Sequence, residues 1–115
     1  MYPNAMLNYE ISTGELRDLL ASVGPEGFVL LDVREPWEFE EARIEGSVLM
    51  PMSEVSSRAL QELERESRII AICHHGVRSM SITAWLREQG FAQAQSLRGG
   101  IDAWSAEIDP SVPKY

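Results

Sequence analysis

Apolar positions along this chain change rhythm repeatedly, and the alternation is itself a prediction of fold. The continuous runs Phe28-Val29-Leu30-Leu31, Val48-Leu49-Met50 and Ile69-Ile70-Ala71-Ile72 are too brief for helices and read as buried strands. Weaker runs at Leu7 to Ile11 and Ala94 to Leu97 bring the predicted strands to five. Between them lie stretches with helical spacing, Met52 to Glu66 and Arg78 to Gln89, the second placing Ile82, Trp85 and Leu86 on one face. Ser12 and Glu15 have the spacing of a capping box, so a helix is predicted from there to about Val23, broken by Gly24-Pro25-Glu26-Gly27. Short helices are predicted around Trp37 to Glu41 and over Ile101 to Glu107, with Gly99-Gly100 permitting a sharp turn before the second. The proline-bearing stretch Asp109 to Tyr115 is expected to be an extended tail, and Trp37, Trp85 and Trp104 are expected in the core. Strands alternating with helices predict a single α/β domain whose central, mostly parallel sheet of about five strands carries helices on both faces.

The chemistry-bearing residues gather where one predicted strand ends. Cys73, the only cysteine, closes the run Arg68 to Ile72 and opens the polar turn Cys73-His74-His75-Gly76-Val77-Arg78, after which Ser79 begins a helical pattern. A thiol at the carboxyl end of a strand and beside a helix N-terminus faces unpaired backbone N–H groups and the positive end of the helix dipole, a setting that favours anions and thiolates. Gly76 frees the turn to aim several amides inward, and Arg78 adds a permanent cation. A structural cysteine would have no use for that company. Asp32, ending another strand, reaches the same sheet edge, where it and Arg34 either order the loop, bind substrate or form a local ion pair. The two histidines alone do not suffice to surround a metal ion, so none is expected.

Four segments carry a resemblance to the rhodanese-like sulfurtransferases. The loop from Cys73 to Arg78 resembles that family's active-site loop, and Leu31-Asp32-Val33-Arg34-Glu35-Pro36-Trp37-Glu38-Phe39 its aspartate-valine-arginine segment. Ile44-Glu45-Gly46-Ser47 through Pro51, and Gly99-Gly100-Ile101-Asp102-Ala103-Trp104, are similar to two further family elements. The resemblance spans about Tyr9 to Trp104 and implies two-step transfer of a sulfane sulfur through a persulfide on Cys73, without a cofactor. It implies that His74, His75, Gly76, Val77 and Arg78 bind the donor, with Ser79, Asp32 and Arg34 in support. Many members carry arginine where this chain has His74, which implies a weaker hold on thiosulfate. The run Cys73 to Ser79 with the ending Asp109 to Tyr115 is similar to rhodanese domains appended to enzymes that activate sulfur-carrier proteins, which implies a sulfur carrier or a cysteine desulfurase as partner. The rival reading is a non-catalytic module of the same fold. A cysteine phosphatase or arsenate reductase fits less well, because such loops place arginine six positions after the nucleophile, where this chain has Ser79.

Composition narrows the classes further. With 115 residues and 44% hydrophobic content, the chain can bury a core without disulfides, and a lone cysteine forms none internally. The net charge of −8 argues against nucleic acid, and the absence of a long apolar run or a basic, apolar start favours a cytoplasmic, membrane-free address. Before Arg58 stand 3 basic and 11 acidic side chains, and from Arg58 onward 7 of each. The half containing Cys73 is therefore neutral, while Glu35, Glu38, Glu40 and Glu41 read as a solvated helix surface.

Overall fold

Each of the five strands runs into a helix across a turn of a few residues, and the whole sheet is parallel. A computed structural model describes residues 7–24 and 27–115; the opening Met1 to Met6 and the centre of the predicted break, Pro25 and Glu26, lie outside them. In chain order the elements are β1 (Glu10–Ile11), α1 (Thr13–Val23), β2 (Val29–Asp32), α2 (Pro36–Glu41), β3 (Val48–Leu49), α3 (Met52–Glu62), β4 (Ile69–Ile72), α4 (Val77–Glu88), β5 (Ala94–Leu97) and α5 (Gly100–Glu107). The strands lie in the order β1-β5-β4-β2-β3. That order puts β4 at the centre, with Leu30 against Ile70 and Asp32 against Ile72.

Alternation along the strands divides the core in two. Leu30, Ile70, Ile72 and Leu97 face α1 and α5, packing on Leu16, Ile101 and Trp104. Leu31, Ile69, Ala71 and Cys73 face α3 and α4, packing on Val55, Ala59, Ile82 and Leu86. All four residues of β4 are buried, which is why its sequence is continuously apolar rather than alternating. The Ser12–Glu15 capping box forms as predicted, Ser12 Oγ accepting from the Glu15 amide at 3.1 Å and the Glu15 carboxylate from the Ser12 amide at 2.9 Å. Such a cap stabilises a helix start by about 1 kcal/mol.

Four expectations need correction. Trp37 is 60% exposed, because the single buried position of the short α2 is occupied by Glu38, and a six-residue helix gives too little periodicity to phase its faces. Glu38 is accordingly no part of a solvated surface: it is 4% exposed. The stretch Asp109 to Tyr115 is not a free extended tail. It turns at Asp109–Ser111, where the Asp109 carboxylate accepts from the Ser111 amide and hydroxyl, and buries Val112, whose carbonyl accepts from Ser105 Oγ at 2.6 Å. Helix α3 stops at Glu62, short of the predicted Glu66, its end turning out at Leu63. Among the described residues no helix is long and apolar enough to cross a membrane.

Candidate functional site

The loop from Cys73 to Gly76 is held between two helix N-termini, and each does something different. At the start of α4, the Gly76 amide donates to Cys73 Sγ at 3.0 Å and the Ser79 amide at 3.3 Å, while Ser79 Oγ stands 3.2 Å from the sulfur. Ser79 Oγ also lies 2.7 Å from Ser96 Oγ on β5, so a buried pair of hydroxyls runs from the sheet to the thiol. At the start of α5, the Ile101 amide donates to the Cys73 carbonyl at 2.9 Å and the Asp102 amide to the His74 carbonyl at 3.1 Å. One helix end thus points its donors at the sulfur, and the other fixes the loop backbone. Gly76 supplies the bend with φ at +106°. Cys73 itself is 1% exposed.

Arg78 is placed by a carboxylate that the sequence gave little reason to single out. Its Nη1 and Nη2 donate to Glu38 Oε1 and Oε2 at 2.8 and 2.9 Å, a two-pronged ion pair. Glu38 accepts two more hydrogen bonds, from the Glu35 amide at 2.9 Å and from Tyr115 Oη at 2.8 Å. The Arg78 hydrogen bonds are the main reason its carboxyl is lowered to about 2, and the same pair raises Arg78 above the ordinary arginine value.

Asp32 and Arg34 are both fully buried. Arg34 grips Asp32 with Nε at 2.8 Å and Nη2 at 2.6 Å, and spends its remaining donors on the Glu38 and Ala42 carbonyls and on Tyr115 Oη at 2.8 Å. All five guanidinium donors are used inside the protein, which leaves none for a ligand. Their reach to the loop is indirect, through Tyr115.

Tyr115 is, with Glu38, a site residue that sequence reasoning missed. Its ring stacks on His74 at 4.1 Å and 11°, with Trp37 edge-on at 5.8 Å, and burial raises its hydroxyl to about 12. A tyrosine among prolines beyond the last helix carries no periodic signal; the only hint was its aromatic character. His74 lies between the Tyr115 and His75 rings, and burial lowers its pKa below the ordinary histidine value, so it is neutral at neutral pH. His75 is the outer histidine, its side chain 63% exposed. Val77 is exposed beside it. His74, His75 and Asp102 each place one possible metal-ligand atom within 4.8 Å of the others, a grouping the two histidines alone did not suggest; Lys114 already pairs with Asp102 at 3.0 Å.

Comparison with known proteins gives a consistent answer. The family model for the rhodanese-like domain matches residues 12–107. The thiosulfate sulfurtransferase GlpE of Pseudoalteromonas translucida is 32% identical, the match covering 77% of this chain and 84% of that protein. The adenylyltransferase and sulfurtransferase UBA4 of Lodderomyces elongisporus is 31% identical over 98% of this chain but only 27% of its own length. Among solved structures, the human single-domain sulfurtransferase TSTD1 superposes with a TM-score of 0.78 at 27% identity, covering 88% of this chain and 98% of that one. The first curated relatives the chain matches are longer proteins, of which it spans 26% to 30%.

Proposed function

The chain belongs to the rhodanese-like sulfurtransferase family, and on that premise we propose that it moves a sulfane sulfur from a donor to a thiophilic acceptor through a persulfide on Cys73. The observation that carries this reading is the sulfur itself, seated at the N-terminus of α4 with two backbone amides and a hydroxyl directed at it. In the first step the Cys73 thiolate attacks the outer sulfur of the donor; the bond to the donor breaks and its remainder leaves with the electron pair. The same amides that face the thiolate stabilise the anionic persulfide, and an acceptor nucleophile then takes the outer sulfur and returns Cys73 as thiolate. Each step is a displacement at sulfur, so neither needs a redox cofactor.

The loop residues divide the work. Gly76 and Ser79 supply amides, Ser79 Oγ stands against the sulfur, and Arg78 follows in the same loop with its guanidinium held by Glu38. Neutral His74 and exposed His75 form the rim that a donor meets first. Thiosulfate is one donor of the right chemistry, and cyanide, a thiol or a sulfur-carrier protein an acceptor; relatives named as adenylyltransferase and sulfurtransferase support the last. The setting of the reaction is a reducing one, which the cytoplasm provides and a lone cysteine suits.

Intact mass before and after treatment with thiosulfate or with a persulfidated cysteine desulfurase tests the reading. The native chain is expected to gain one sulfur atom and lose it to cyanide, whereas Cys73→Ser gains none. A folded native protein that takes sulfur from neither donor is instead a binding module of the same fold.

A further inference from the structure

Every cation that borders the loop meets a carboxylate. Among the described residues these are Arg78 with Glu38, Arg98 with Glu10 at 3.1 Å, and Lys114 with Asp102 at 3.0 Å. The last two pairs are exposed and exchange easily with solvent, whereas Glu38 is buried and saturated by four hydrogen bonds. Helix α2 therefore carries a fixed negative charge against the one arginine of the loop. Both amides aimed at the sulfur are already engaged by it, and the histidine next to Cys73 is uncharged near neutral pH.

The two kinds of donor differ most in charge. Attack of a thiolate on dianionic thiosulfate brings three negative charges together: the S–S bond of thiosulfate breaks, sulfite leaves as a dianion, and Cys73 keeps the outer sulfur as an anionic persulfide. Attack on the outer sulfur of an alkyl persulfide breaks its S–S bond in the same way and releases a thiolate, with at least one negative charge fewer at the reacting centre. A free arginine lowers the first barrier far more than the second; an arginine whose charge is offset removes that advantage. The groove beside the loop adds no cation of its own, lined as it is by Val77, Met80 and Ala84 along with Glu10 and His75.

We infer that Glu38 is a specificity-determining residue: by holding the Arg78 guanidinium in a buried two-pronged ion pair it directs Cys73 toward alkyl persulfide donors and away from thiosulfate. This rests on the persulfide reading above. Glu38 acts through Arg78 and touches no substrate.

The test is the second-order rate of sulfur loading onto Cys73, followed by intact mass, with thiosulfate, glutathione persulfide and a persulfidated cysteine desulfurase as donors. The native protein is expected to load faster from glutathione persulfide than from thiosulfate. Glu38→Gln is expected to shift that ratio toward thiosulfate by roughly ten-fold, the worth of one charge-assisted contact. The shift is expected to vanish in Glu38→Gln/Arg78→Gln, because the freed charge is gone. A folded Glu38→Gln in which both rates fall in proportion, or in which the ratio stays put, overturns the inference and leaves Glu38 a structural residue. Should that variant fail to fold, the native protein decides: thiosulfate loading is expected to hold or rise between about 0.02 and 0.3 M salt, as salt screens the repulsion from a net charge of −8, and a steep fall would reveal an available cation and overturn the inference. Loading from the desulfurase and not from glutathione persulfide supports the inference and makes the source protein-borne. No loading from any donor overturns the persulfide reading itself, whereas loading with an unmoved ratio overturns only the role of Glu38.

Discussion

Glu38 shows how far a residue's surroundings can depart from its sequence neighbourhood. In the sequence it stands among Glu35, Glu40 and Glu41 and reads as one more solvated acid. Folded, it is the buried acceptor for Arg78, Tyr115 and the Glu35 amide, and its carboxyl falls from 4.5 to about 2. A carboxyl whose pKa is lower in the folded state binds its proton more readily in the unfolded state. The stability it contributes is therefore complete above its unfolded value and is lost as pH falls toward the folded one. Between about pH 4.5 and about pH 2 the protein is expected to lose roughly 3 kcal/mol through this one group. Denaturant melts across that window check it. Glu38→Gln is expected to show a shallower acid dependence, and an equally steep one would assign the acid lability to other carboxyls.

Among the elements, the start of α5 has a use that its sequence only half discloses. Gly99-Gly100 reads as a permitted sharp turn, and both residues do have positive φ, +77° and +65°. The reason for Gly100 is harder than conformational freedom, however. A Cβ there would run into the carbonyls of Cys73 and His74, the groups that the α5 amides bond. Because those neighbours are backbone, they cannot move aside without moving the loop. Gly100→Ala is expected to destabilise the fold by about 2–4 kcal/mol and to lower sulfur loading even where the protein remains folded. Thermal melts and intact-mass loading check the two parts; an unchanged loading rate would show that the Cys73 carbonyl need not be held by α5. By contrast, β4 was legible to within a residue at each end, expected over Arg68 to Cys73 and observed over Ile69–Ile72. Four apolar residues followed by a polar turn have no other comfortable place in an α/β domain than the centre of a covered sheet.

At the scale of the whole molecule, the last residues tie distant parts together. Val112 seals the face made by α1 and α5, and Tyr115 reaches across to α2 and to the Cys73 loop, linking Arg34, Glu38 and His74. A chain ending at Ser111 is expected to melt several degrees lower, since it loses the buried Val112 and the half-buried Tyr115 and uncovers the apolar surface they pack on. Its His74 is expected to titrate closer to the ordinary value, because burial is the main cause of its lowered pKa. NMR titration of the imidazole checks this, and an unmoved value would show that Tyr115 does not shield it. The sequence by itself determined the α/β architecture, the five strands, the thiol at a strand end before a helix, and Gly76 in the turn. These are local: hydrophobic rhythm, glycine and the spacing of a loop are properties of neighbours along the chain. Only the tertiary structure decided which charges face the thiol, that Arg78 belongs to Glu38, that Arg34 has no donor left, and that Tyr115 packs on His74. Apart from the local bonds of Arg34 to Asp32, Glu38 and Ala42, those pairings join residues 40 to 81 positions apart, and electrostatics acts across space without leaving any period in the sequence.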